Sequence, residues 1–293
     1  MTASRRLKNH LLYGLGRALL AALSGCPLSW LRPVGRALGR AGYRLASHER
    51  RRALTNLAAA DLGLAEGERR RLCREVFARL GHVVVEALAL PRLVRRGPLA
   101  RFDARAVALL ARAGGAVVTT AHLGNFELLA AAIAQRRGEP VYVLARRSYE
   151  PRFTALLERR RRQVAVVPLW VEDRSCALRA LRALRAGAWV GVLIDRAPRA
   201  GGEALPFFGR GAPTDLLAAG LARVAAVPLH VGWVERREGA RAGDGAGQQV
   251  SLVPTDANDD RARIAEATAR LESAIRARPA DWLWTLDRWR DRP

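Results

Sequence analysis

The chain of 293 residues is half hydrophobic and long enough to bury a substantial core, as one large domain or two small ones. Its 50 basic against 27 acidic residues give a formal net charge of +23, beyond what solubility needs, which points to anionic partners: nucleic acid, an anionic lipid surface or an acidic carrier protein. Cys26, Cys73 and Cys176 are odd in number, widely spaced and lack a C-x-x-C, so neither a disulfide framework nor a zinc site is suggested; five histidines without H-E-x-x-H spacing imply no metal.

The chain opens on Leu11 to Leu31, which is largely apolar and long enough to span a bilayer if straight, yet holds Arg17 and is broken by Gly25 and Pro27. Arg5, Arg6 and Lys8 precede it and Arg32, Arg36, Arg40 and Arg44 follow it, so charge gives it no orientation. A helix with cations at both ends suits the membrane interface better than a single-pass anchor. Leu23-Ser24-Gly25-Cys26 has the outline of a lipoprotein cleavage box, but Arg17 and the missing polar tether favour a small buried side chain for Cys26. Residues 1–47 are therefore expected to form a helical, membrane-associating extension ahead of a domain at 48–293.

From Ser47 to Leu90 the pattern is helical, with Leu54, Leu57, Leu72, Val76, Phe77 and Leu80 at helical spacing and a break at Asp61 to Gly67. Beyond Pro91 apolar strands alternate with amphipathic helices: strands at 115–121, 140–145, 164–168 and 189–194, and helices at 126–137, 150–161 and 173–186. A helix at 213–225, strands at 227–235 and 248–254 around a Gly-rich loop, a helix at 259–277 and a Trp-rich tail complete the chain. This rhythm predicts an α/β domain with a central, mostly parallel sheet flanked by helices.

The first strand of that series runs directly into Ala121-His122-Leu123-Gly124-Asn125-Phe126-Glu127. An imidazole can take a proton from a hydroxyl near neutral pH, and a carboxylate on its other nitrogen fixes the tautomer and stabilises the imidazolium. In continuous helix His122 and Glu127 would lie roughly 140° apart. They can meet only if the Leu-Gly-Asn stretch bends, and Gly124 and Asn125 suit a bend. For the spacing alone, a buried histidine satisfied by local backbone is the stronger reading.

The whole phrase His-Leu-Gly-Asn-Phe-Glu resembles the H-x4-D/E block of the lysophospholipid acyltransferase superfamily, in the form found in the lipid A biosynthesis acyltransferases. The resemblance implies a glycerolipid-acyltransferase-like fold, His122 as the base for acyl transfer and Glu127 as its supporting acid; Phe126 stands where a tryptophan is usual. It continues through Val143 to Arg147, the arginines from Arg159 to Arg162, the strand ending Asp195-Arg196, and Pro206-Phe207-Phe208-Gly209 ahead of a helix containing Thr214. Substrate-binding roles follow for Asn125, Arg146, Arg159, Asp195, Arg196 and Thr214. For a single arginine of the 159–162 run a solvated helix face is an equal reading, for Asp195 a strand-end cap, for Thr214 a helix N-cap. Two departures stand out: Ala197 to Gly202 replaces an HDYG-like phrase, and Thr285 to Asp287 replaces the histidine-bearing step of the closing tryptophan motif.

What the resemblance implies is an O-acyltransferase that moves a fatty acyl chain from an acyl carrier protein or coenzyme A thioester to a hydroxyl of a membrane lipid such as a lipid A precursor. It would need no cofactor beyond the thioester co-substrate and would work on the anionic, cytoplasmic face of the bacterial inner membrane. Phosphatidylinositol mannoside, ornithine lipid and lysophospholipid are alternative acceptors. A basic nucleic-acid-binding protein is the rival from another class, but the chain lacks aromatic-basic interleaving, a helix-turn-helix and an RNP-like phrase.

Overall fold

The computed structural model describes residues 13, 14, 16, 21, 26–148, 150–199, 201–237 and 247–289. Most of the apolar leader and nearly all of the Gly-rich loop before Gln248 lie outside them. After a 3-10 turn at Leu28–Trp30 come α1 (Leu31–Leu45), α2 (Ser47–Ala59) and α3 (Glu66–Val94), then β1 (Arg101–Phe102) and α4 (Ala104–Leu110). The alternating part follows as β2 (Ala116–Thr120), α5 (Phe126–Arg137), β3 (Val141–Ala145), α6 (Pro151–Arg162), β4 (Val166–Trp170), α7 (Cys176–Arg185) and β5 (Trp189–Leu193). A hairpin of β6 (Glu203–Phe207) and β7 (Arg210–Thr214) precedes α8 (Leu217–Ala225), β8 (Leu229–Arg236), β9 (Gln248–Pro254) and α9 (Asp260–Ala277). No described helix is long and apolar enough to cross a membrane.

Seven strands form one sheet in the order β1-β9-β8-β2-β5-β3-β4. All neighbours pair in parallel except β8 with β9. Such a sheet needs cover on both faces, and alternate residues supply it. Val117 and Val190 belong to a core with α7, α8 and α9, whereas Val118 packs with α5 and with Leu109 and Leu110 of α4.

Two predicted boundaries need correction. The helix expected from residue 213 begins at Leu217, because 203–214 form a hairpin. Its two-residue turn places Phe208 and Gly209 at φ 51° and 71°, the pair of positive values a tight hairpin turn requires. Glu272 accepts from the strained Phe208 N–H at 2.6 Å. Pro206 and Pro213 are tolerated because each strand has only one partner. The helix expected to end at Leu90 runs through Pro91 to Val94, so the proline does not terminate it.

Helices α1 and α3 cross with their backbones in contact. A Cβ on Gly39 would sit 2.0 Å from the Phe77 carbonyl oxygen, and one on Gly81 2.2 Å from that of Gly35. Only hydrogen fits at these points, so the glycines set how close Arg32 and Arg36 of α1 come to α3. Gly81→Val is expected to force the helices apart at a cost of about 3 kcal/mol, by analogy with overpacked cores. A shift of the urea midpoint equivalent to less than about 0.5 kcal/mol would mean that the crossing yields freely.

Candidate functional site

Strand β2 ends at Thr120 and its parallel neighbour β5 at Leu193, and these two residues are register partners. Each strand is followed, two residues on, by a side chain that can move or hold a proton: His122 and Asp195. The shared register brings them face to face beyond the carboxyl ends of the strands, where open α/β sheets hold ligands. His122 Nδ1 lies 2.8 Å from Asp195 Oδ1, and the His122 backbone N–H donates to Asp195 Oδ2 at 2.7 Å. A carboxylate can only accept, so Nδ1 carries a proton, and in the neutral ring Nε2 is the nitrogen with the lone pair. No described residue bonds to Nε2, and the ring lines a cavity.

Asp195 is fully buried, which by itself raises a carboxyl pKa. The His122 charge and ring N–H, the Trp282 indole N–H at 2.8 Å and the His122 backbone N–H outweigh burial and hold the group below the ordinary aspartate range. Its charge is therefore fixed in place behind the imidazole.

The loop itself is held open by its backbone. Gly124 has φ 57°, and a Cβ there would meet the Val234 carbonyl oxygen at 2.3 Å, so no other residue fits. The chain tail runs alongside: Gly124 N–H donates to Asp281 O at 2.9 Å and Leu283 N–H to His122 O at 3.1 Å. Asn125 caps α5 by accepting from Leu128 N–H at 3.0 Å.

Glu127 departs from its expected place. It sits in the first turn of α5, where both carboxylate oxygens accept from Arg161 of α6 at 2.9 and 2.5 Å, and Asp195, not Glu127, occupies the second imidazole nitrogen. The turn that begins at Phe126 carries Glu127 past the ring, and Phe126 itself lies edge-on to His122 with centroids 4.8 Å apart. Glu127 and Arg161 nevertheless line the same cavity as His122.

That cavity, about 390 Å³, has both charged and apolar lining residues. Glu127, Arg146, Arg161, Arg196 and Asp215 gather with His122, while Val118, Leu129, Ile133, Val141, Val143 and Gly191 make an apolar wall between α5 and the sheet. From the C-terminal edge of β3 to Val141 at its start is roughly 15 Å at the rise of a parallel strand. Gly191 widens the middle, since a Cβ there would reach Val143 at 3.3 Å.

The remaining predicted residues separate. Arg146 and Arg196 line the cavity. Arg159 is exposed on α6 and lines a shallow depression elsewhere; Arg161, two residues on, is the arginine at the cavity. Asn125 is buried behind the loop, against Glu86, to which its Nδ2 donates at 2.9 Å. Thr214 is neither at the cavity nor a helix cap: it ends β7, bonded to Ala212 O and to the buried Arg288. Trp282 was missed as a partner of Asp195, since the sequence marks it only as a packing tryptophan.

The model of the bacterial lipid A biosynthesis acyltransferase family matches residues 2–291. Among curated proteins nothing matches. Trp282→Phe preserves most of the packing but removes one donor to the Asp195 carboxylate. It is expected to cost about 2 kcal/mol, the scale of a hydrogen bond to a charged group, read as a lower urea midpoint; an unchanged midpoint would show that the indole contributes only its bulk. The chain belongs to the bacterial lipid A biosynthesis acyltransferase family.

Proposed function

We propose that this acyltransferase of the lipid A biosynthesis family uses His122 as general base to move a fatty acyl chain from an acyl carrier protein or coenzyme A thioester to a hydroxyl of a lipid A-type precursor. The observation that carries this reading is a carboxylate-held imidazole, its second nitrogen unbonded among the described residues, in a cavity that also has an apolar wall. An acyl chain would lie along Val118, Val143 and Ile133 with its thioester at His122.

Nε2 takes the hydroxyl proton as the oxygen attacks the thioester carbonyl. The tetrahedral intermediate then collapses with cleavage of the C–S bond, and the imidazolium returns the proton to the departing thiolate, giving ester and thiol. Asp195 stabilises the imidazolium between the two steps. Arg146, Arg161 and Arg196 supply positive potential at the same end, suited to a developing oxyanion and to acceptor phosphates. Glu127 acts from the cavity wall by holding the Arg161 fork, a different support from a bond to the imidazole.

No cofactor enters this scheme. The protein would act at the cytoplasmic face of the inner membrane, with residues 1–47 attaching it and 48–293 carrying out transfer. Its net positive charge would favour anionic lipid and an acidic carrier protein.

In a membrane assay with acyl donors, His122→Ala is expected to lower kcat at least a thousandfold, within the range of lost acid–base catalysis; near-normal turnover would refute the base assignment. Asp195→Asn should fall by at least a hundredfold through the wrong tautomer. Gly191→Leu fills the middle of the cavity and is expected to shift the product to a shorter acyl chain, seen by lipid mass spectrometry. An unchanged chain-length profile would place the acyl group elsewhere.

A further inference from the structure

On the opposite side of the catalytic loop lies a second hollow, of about 270 Å³, that shares no lining residue with the acyl cavity. Six arginines line it: Arg32 and Arg36 from α1, Arg79 from α3, Arg236 and Arg237 at the end of β8, and Arg278 after α9. Three carboxylates line it with them, Glu75, Glu86 and Asp281, and Glu235 lies 3.9 Å from Arg278. These are already engaged: Glu75 holds Arg36 and Arg79 at 2.8 and 3.0 Å, Asp281 holds Arg79 at 2.7 Å, and Glu86 holds Arg236 at 2.6 Å. Arg32 and Arg237, both exposed, have no ion pair or side-chain hydrogen bond among the described residues.

The hollow therefore keeps an excess of positive charge in a concave setting, where low-dielectric walls concentrate the field. His82, buried on its floor, registers this. Burial first, and then the charges of Arg236, Arg32 and Arg36, push its imidazole down to about 4, even though Glu86 lies 3.7 Å away. A neutral histidine adds nothing to balance a ligand, so the arginines alone set the charge the hollow will accept. Guanidinium forks match phosphate oxygens, and the two uncompensated cations, Arg32 and Arg237, suit a group of about two negative charges.

We infer that this hollow is a binding site for a phosphomonoester or diphosphate group, separate from the acyl cavity and joined to the catalytic loop through Glu86. That carboxylate, almost fully buried, receives Arg236 on Oε1 and the Asn125 amide on Oε2. Asn125 in turn caps α5 two residues before Glu127. An anion that draws Arg236 toward itself acts two hydrogen bonds, through Glu86, from the loop that carries His122. The inference does not depend on acyl transfer, because occupancy can be measured without turnover.

The test uses the full-length protein in detergent and pyrophosphate as the probe, followed by calorimetry and by ³¹P NMR. Saturable binding at one site, weakened by added salt, is expected. The double variant Arg32→Glu, Arg237→Glu changes only exposed rim positions and should bind at least tenfold more weakly with an unchanged melting curve. Absence of saturable binding in the native protein, or equal affinity in a double variant that melts normally, would overturn the site. Vesicles of phosphatidylcholine containing phosphatidic acid then identify the source. Displacement of bound pyrophosphate by these vesicles and not by phosphatidylcholine alone upholds a lipid headgroup ligand; failure to displace it upholds a soluble phosphate.

Discussion

The pairing of Thr120 with Leu193 across two parallel strands is the constraint on which the site depends. Strands have a two-residue period, so a slip of one residue would turn either His122 or Asp195 to the opposite face of the sheet. The register is secured by burial on both faces: every residue of β2 is buried, and Val117 and Val118 anchor separate cores. The dyad is thus a by-product of core packing. The same hydrophobic terms that hold the sheet together fix the distance between an imidazole and its carboxylate.

A buried carboxylate is expensive unless its oxygens are all engaged. Asp195 meets this condition with donors from three directions, one of them from Trp282 in the chain tail. This gives the tail a chemical task besides closing the core. Trp282 and Trp284 are buried, and Asn56 Nδ2 of α2 donates to the carbonyls of Trp284 and Leu286 at 2.7 and 2.8 Å. The N-terminal helices therefore hold the segment that holds the aspartate. A loosened α2 would be felt at His122 without touching it.

Much of this was legible in the residues. Strand–helix alternation gave β2 through β5 to within a residue or two because each strand is an apolar run bounded by turn residues, and α5 matched its expected bounds. β1 and α4 escaped notice because a two-residue strand carries no periodicity. The hairpin was hidden by prolines that usually argue against strands, and by Phe208, which occupies a left-handed position normally left to glycine. At the site, His122 and Asp195 could each be picked from a motif. Their partnership could not, because β5 enters the sheet between β2 and β3, and no local pattern records which strands become neighbours. Proximity in sequence favoured Glu127 as the partner; proximity in the sheet favours Asp195.

That exchange of partners changes what the His-x4-Glu spacing means physically. Five residues place the carboxylate in the first turn of α5, away from Nδ1 but set to receive the Arg161 fork at the cavity wall. The loop between them has two faces. Toward the His122 cavity it presents His122 and Glu127; toward the basic hollow it presents Gly124 and Asn125. A side chain at Gly124 would strike Val234, and Asn125 is tied to both α5 and Glu86. A shift at Glu86 would reach Gln248 and Arg236 as well as Asn125, and through Asn125 the cap of the helix whose first turn carries Glu127.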